Sequence, residues 1–187
     1  YKRQLQYLNI ITIAGESFPM ALIKEHFHKL PHVRIVNEYG PTENSVCSTY
    51  YEMKHTDNTI YIGRAIDNCY TYCLDANLNL LPLGSEGELY VSGPGVAEGY
   101  FKKEELTKER FMPNPFVPGL SMYKTGDIVK LHTNGLLEFI GRKDKQVKLH
   151  GFRIELKEIE EVLLENKEIK EVDNKIEDAN VKLEYVQ

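Results

Sequence analysis

Apolar residues run almost unbroken from Leu8 to Ala14, which predicts a buried strand. Gly15-Glu16-Ser17 interrupts the run. Met20, Ile23, Phe27 and Leu30 then recur at helical spacing, with Ser17 placed as the cap and Pro19 in the first turn. His26 and His28 fall off this stripe and are expected in solvent; with no third ligand beside them they make no metal site. Val33 to Val36 is the next apolar run, a second strand. Strand, helix and strand form a βαβ unit, whose parallel strands deliver Gly15-Glu16-Ser17 and the segment after Val36 to one edge of a sheet.

From about Tyr61 the rhythm changes to short β runs separated by turns: Tyr70 to Leu74, Gly87 to Ser92, Ile128 to Leu131, Leu136 to Ile140 and Val147 to His150. That is the pattern of antiparallel or barrel-like structure. Thr133-Asn134-Gly135 predicts a hairpin with a primed turn, making Tyr123 to Ile140 one unit. Leu156, Ile159, Val162 and Leu163 mark an amphipathic helix. Beyond Asn166 the pattern thins, and Glu171 to Ala179 predicts no element.

Composition narrows the class without choosing a function. The chain has 187 residues, 42% hydrophobic and 27% charged, which is ordinary globular usage and enough for one full core or parts of two. A net charge of -5 with dispersed basic residues argues against a nucleic-acid surface and against anionic membranes. Cys47, Cys69 and Cys73 form neither a C-x-x-C pair nor a ligand cluster, so a reducing, cytoplasmic setting is expected. No apolar run has spanning length and no signal peptide is visible. The abrupt start, without an initiator Met, suggests a piece of something larger.

Chemistry concentrates in Asn37-Glu38-Tyr39-Gly40-Pro41-Thr42-Glu43-Asn44, which sets a ring, a tight turn, a hydroxyl and a carboxylate behind an apolar strand. Tyr39 could stack on a base, Thr42 could donate to a phosphate and Glu43 could hold magnesium, although a plain strand-turn-helix connection reads equally well. Gly93-Pro94-Gly95-Val96-Ala97-Glu98-Gly99 is no dinucleotide fingerprint, because Glu98 stands at the third glycine position; it reads as a glycine-rich loop. Tyr123-Lys124-Thr125-Gly126-Asp127 ends in an acid able to take both hydroxyls of a ribose, or to cap its own turn. Phe139-Ile140-Gly141-Arg142-Lys143-Asp144 adds an aromatic face and a guanidinium suited to oxygen-rich ligands, or a charged β edge.

Taken together, Asn37 to Asn44, Gly87 to Tyr100, Tyr123 to Asp127 and Gly141 to Glu160, the last containing Arg153-Ile154-Glu155-Leu156, closely resemble successive motifs of the adenylation domains of nonribosomal peptide synthetases. The resemblance covers residues 1 to about 165. It implies α/β plus β architecture, the C-terminal part of an adenylate-forming enzyme. Residues 1–60 would end a doubly wound α/β lobe, 61–143 would form a distorted β-barrel subdomain, and 144–187 would begin a small α+β C-terminal subdomain. It further implies that Gly15, Glu16 and Ser17 line an adenine slot, that Asn37 meets the adenine amino group, and that Tyr39 packs on the ring beside Gly40. Thr42 would contact the α-phosphate and Glu43 the Mg2+. Asp127 would hold the ribose with Arg142, and Phe139 would sit beside the nucleoside. Asp144 would be the hinge of the small subdomain, and Lys148 and Gly151 would lie in a loop entering the site during thioester formation.

The implied reaction joins an amino acid to ATP as aminoacyl-AMP with release of pyrophosphate, then passes the acyl group to phosphopantetheine on a peptidyl carrier domain. Positioning and charge neutralisation dominate such chemistry. The family's glycine-, serine- and threonine-rich phosphate loop is expected before residue 1 and its carboxyl-terminal lysine after residue 187, since neither Lys175 nor Lys182 sits in that motif. The chain alone is therefore not expected to adenylate, and the missing N-terminal part of its own domain and neighbouring synthetase modules are implied partners. Thr12, Ala14, Glu38, Val46 and Cys47 would line the amino-acid pocket. Their small side chains leave room for a large substrate, and Glu38 could accept from a polar tip, which favours tyrosine over phenylalanine, tryptophan or a basic residue; core packing is the alternative for Val46 and Cys47. A stand-alone acyl-CoA or acyl-carrier ligase, or a non-catalytic fragment kept for partner binding, stays open.

Overall fold

The parallel pair predicted at the start of the chain is present as β1 (Ile10–Ala14) and β2 (Arg34–Tyr39), joined through α1 (Met20–Lys29). The computed structural model of the chain describes residues 4–144, 146–149, 152–166, 169, 171–177 and 180–186. α1 lays Ile23 and Phe27 on Ile35 and Met53, an apolar seam that fixes the helix to the sheet. Three local expectations change here. Pro19 rather than Ser17 occupies the cap, with no side-chain bond, because its preset φ of -75° suits the entry without a donor. His26 is partly buried and its Nε2 donates to the Val33 carbonyl at 2.8 Å, while His28 is exposed as expected. β1 is an edge strand rather than a buried one: it pairs with β2 alone among the described residues, and Ile10 is 44% exposed.

β2 continues past Val36 to Tyr39, so Asn37, Glu38 and Tyr39 are strand residues and the turn begins at Gly40. β3 (Thr49–Met53) pairs antiparallel with β2, and β4 (Tyr61–Ala65) pairs with β3. Beyond these come β5 (Tyr70–Leu74), β6 (Glu86–Ser92), α2 (Glu104–Arg110), β7 (Phe111–Pro113), β8 (Ser121–Leu131) and β9 (Leu137–Arg142). Because β4 also pairs with β9, one nine-stranded sheet in the order β1-β2-β3-β4-β9-β8-β6-β5 runs through residue 61, with β7 on β8. Its antiparallel half is closed over a core of Ile62, Leu89, Val91, Tyr123, Val129 and Leu137, against which Tyr39 and Phe139 pack.

The β8–β9 hairpin forms as predicted, but its turn is not a primed one. Gly135 alone takes a positive φ, +77°, and its N–H donates to the His132 carbonyl. The three-residue loop is thus a turn with negative φ at Thr133 and Asn134 closed by a left-handed glycine, with Asn134 Oδ1 accepting from Leu136 N–H.

Residues 144–187 form a separate compact unit. Within it β10 (Val147–Leu149) and β11 (Phe152–Ile154) pair antiparallel, followed by α3 (Leu156–Leu164). Lys148 therefore stands in a strand, opposite Arg153, and not in a loop; Gly151 lies outside the described residues. The stretch that predicted no element contains β12 (Glu171–Glu177), paired antiparallel with β13 (Asn180–Val186). Direct backbone pairing of the two strands forms here where no apolar run announces it.

Candidate active site

Alternation along β2 sorts its residues onto two faces. Ile35, Asn37 and Tyr39 share the face covered by α1, while Val36 and Glu38 point the other way, in register with Thr12 and Ala14 of β1 and with Glu52 and Tyr50 of β3. Asn37 is buried, and its Nδ2 donates to the Tyr61 carbonyl at 2.8 Å. That commits the amide nitrogen to the protein and leaves the oxygen as the atom able to accept from an amino group.

Tyr39 reaches a residue 88 positions away: its hydroxyl donates to Asp127 Oδ2. Asp127, on β8 and 5% exposed, accepts from Arg142 Nη1 through Oδ1 at 2.6 Å. Arg142 also donates to the Thr125 carbonyl, and Thr125 Oγ1 accepts from the Asp127 N–H. Gly126, at φ +77°, stands between Thr125 and Asp127 in β8. Burial, then the charge and hydrogen bond of Asp127, push the Tyr39 phenol well above its ordinary pKa, so it stays a donor. Phe139, paired with Val129 on the adjacent strand, packs against the same apolar core as Tyr39.

Gly40 starts the turn, and its lack of a side chain is required: a Cβ there would lie 2.2 Å from the Val46 carbonyl oxygen. A single 3-10 turn over Thr42–Asn44 follows, exposing Thr42 and burying Glu43 to 6%. Asn44, also buried, donates to Ser48 Oγ at 2.7 Å and pins the far side of the turn. Tyr100 donates to Glu43 Oε1 at 2.7 Å. One carboxylate beside a hydroxyl suits Mg2+, which keeps waters and takes its other ligands from phosphate oxygens. No cluster of His, Cys, Asp and Glu able to hold a metal by itself occurs among the described residues.

On the opposite face, Thr12 and Ala14 are exposed, Glu38 is half-buried and Tyr50 is 52% exposed. Val46 is 74% exposed at φ +75°, and Cys47 is half-buried. The Cys47 thiol is pushed up by burial first and by the Glu38 charge second, which places Glu38 and Cys47 within electrostatic reach. The expected pocket residues Thr12, Ala14 and Glu38 thus share one open sheet face. Gly15, Glu16 and Ser17 form an exposed loop at the end of β1, and Asp144, whose Oδ1 accepts from the Gln146 N–H, begins the second unit. Tyr100, Thr125 and Tyr50 went unassigned from sequence; the signal for Tyr100 was a polar-tipped ring directly after a glycine-rich loop.

The profile described as AMP-binding enzyme matches residues 1–101. Bacitracin synthase 3 of Bacillus licheniformis is 53% identical over 163 residues, 87% of this chain and 3% of that protein. A solved holo NRPS protein containing adenylation and PCP domains, bound to a vinylsulfonamide inhibitor, superposes with a TM-score of 0.87 at 27% identity, over 97% of this chain and 33% of that one. The Vibrio cholerae adenylation domain AlmE in complex with glycyl-adenosine-5'-phosphate gives 0.80 at 29% identity, over 89% and 32%. The chain spans a small part of the synthase and about a third of each solved chain. It belongs to the AMP-binding enzyme family, as part of the adenylation domain of a nonribosomal peptide synthetase.

Proposed function

We propose that this chain supplies the adenine, ribose and metal end of a site that activates an amino acid with ATP and then loads it on a carrier-domain phosphopantetheine. The observation that carries the reading is the part-buried Tyr39–Asp127–Arg142 cluster, drawn from three separated motifs and continuous with Asn37 on the same face of β2. A substrate carboxylate oxygen attacks the α-phosphorus of ATP, the new P–O bond forms, and the bond to the β-phosphate oxygen breaks with pyrophosphate leaving. Asn37 accepts from the adenine amino group and Tyr39 packs on its ring, over the slot of Gly15, Glu16 and Ser17. Asp127, steadied by Arg142, takes the ribose hydroxyls next to Phe139, and Thr42 donates to the α-phosphate. A magnesium ion on Glu43 would neutralise phosphate charge. Asp144 is the swivel that lets the unit carrying Lys148 change position between the two half-reactions.

The amino-acid side chain lies against Thr12, Ala14, Glu38, Val46 and Cys47, with its carboxylate turned to the carboxyl ends of β1 and β2, where it meets the α-phosphate. Glu38 selects a large side chain ending in a donor, and tyrosine is the first choice. AlmE, whose solved complex holds glycyl-adenosine-5'-phosphate, supports the aminoacyl adenylate as the intermediate. The test is amino-acid-dependent pyrophosphate exchange by the full-length parent across all proteinogenic amino acids. Exchange with tyrosine above all others is expected; none with any amino acid, in folded protein, would sink the reading, and preference for phenylalanine would sink the role of Glu38.

A further inference from the structure

The loop of residues 93–99, which carries no dinucleotide fingerprint, is clamped onto the turn that bears Thr42 and Glu43. Ala97 N–H donates to the Glu43 carbonyl at 2.8 Å, and Ser45 Oγ donates to the Gly95 carbonyl at 2.9 Å. The clamp ends in Tyr100, whose hydroxyl donates to Glu43 Oε1 at 2.7 Å. Glu43 is thus gripped twice by one segment, through its backbone and through its carboxylate.

Tyr100 is itself held from several sides. Its N–H donates to Thr107 Oγ1 of α2 at 2.9 Å, its ring meets Phe111 edge-on at 5.3 Å, and its hydroxyl lies 3.3 Å from that of the buried Tyr123. Tyr123 sits on β8, four residues before Asp127, so the ribose carboxylate and the metal carboxylate are braced by the same strand. The phenol of Tyr100 is an uncharged donor. A neutral donor has a further merit here. It orients the carboxylate while leaving its negative charge intact, whereas an ammonium or guanidinium in the same place would compete with a cation.

We propose that Tyr100 is a positioning residue for Glu43, fixing the orientation in which that carboxylate meets the nucleotide's divalent cation. The proposal rests on the metal role given to Glu43 above. Its consequence is a dependence on metal rather than on amino acid: without the hydroxyl, Glu43 Oε1 loses an orienting donor, and cation binding weakens while the amino-acid pocket is unchanged.

The experiment compares Tyr100→Phe with the wild type in the intact parent synthetase. Loss of such an orienting partner typically weakens metal affinity by about 10- to 100-fold. The half-saturating Mg2+ concentration of pyrophosphate exchange should rise by about tenfold or more, with the amino-acid KM unchanged. Mn2+ binding in the presence of ATP, read by electron paramagnetic resonance without turnover, should weaken in parallel. Unchanged Mg2+ dependence and Mn2+ affinity in Tyr100→Phe, whatever happens to kcat or melting temperature, would overturn the proposal. That outcome is distinct from wild-type protein showing no exchange at all, which would overturn the proposed function instead.

Discussion

Val46 is the most strained residue of the candidate site. Its φ of +75° is closed by a bond from Cys47 N–H to the Ser45 carbonyl at 3.0 Å, a γ-turn of the positive-φ kind, and a β-branched side chain makes that conformation costly. Such strain is worth on the order of 1–3 kcal/mol, and glycine would relieve it at some cost in unfolded-state entropy. Val46→Gly should therefore stabilise the chain by about 1 kcal/mol in urea unfolding; equal or lower stability would show the turn is unstrained. The thiol next to it gives a pH test. Burial and the Glu38 charge raise the Cys47 pKa, so its thiolate fraction at pH 8 lies below that of a free cysteine. Glu38→Gln removes the charge, lowers that pKa and should speed iodoacetamide alkylation of Cys47 at pH 8; an unaltered rate would separate the two residues. What sequence could tell here was the residue types of the turn, legible as a nucleotide motif. It could not tell that Tyr39 bonds Asp127, because a contact across 88 residues leaves no periodic trace.

Among the elements, strands with apolar runs were legible and those built from amphipathic residues were not. β5, β6 and the β8–β9 hairpin follow the predicted runs closely, although β8 begins earlier, at Ser121. β3, Thr-Tyr-Tyr-Glu-Met, hides its alternation because tyrosines serve both faces, Tyr50 exposed and Tyr51 half-buried. α2 has no apolar stripe; Glu104 and Glu105 in its first turn and Lys108 and Arg110 in its last complement the helix dipole instead. The segment between β7 and β8 is organised by one buried side chain, Asn114. Its Oδ1 accepts from the N–H groups of Phe116 and Val117, and its Nδ2 donates to Ser92 Oγ and Tyr72 Oη. Asn114→Ala strands those partners and should cost about 2–3 kcal/mol in thermal or urea unfolding. A loss under about 0.5 kcal/mol would mean that water replaces the amide.

At the scale of the molecule, the chain divides after Lys143, whose N–H donates to the Gly126 carbonyl and whose Nζ meets Glu88 at 3.1 Å, anchoring the last residue of the first unit. Proline at the next position fixes one backbone dihedral. Asp144→Pro in the parent should thus lower one half-reaction by about tenfold or more while sparing the other, read as pyrophosphate exchange against thioester loading. Equal loss of both, or loss of neither, would remove Asp144 as the swivel. The sheet itself carries a different consequence. A strand's pleat sends neighbouring side chains in opposite directions, so Asn37 and Glu38 are adjacent in sequence yet separated by the thickness of the sheet. Under the proposed assignment, the gene can rewrite which amino acid is chosen by changing codons 12, 14 and 38 while Asn37 and Tyr39 keep the nucleotide. Deleting one residue within β2 would do the reverse, exchanging the two chemistries across the sheet in a single step.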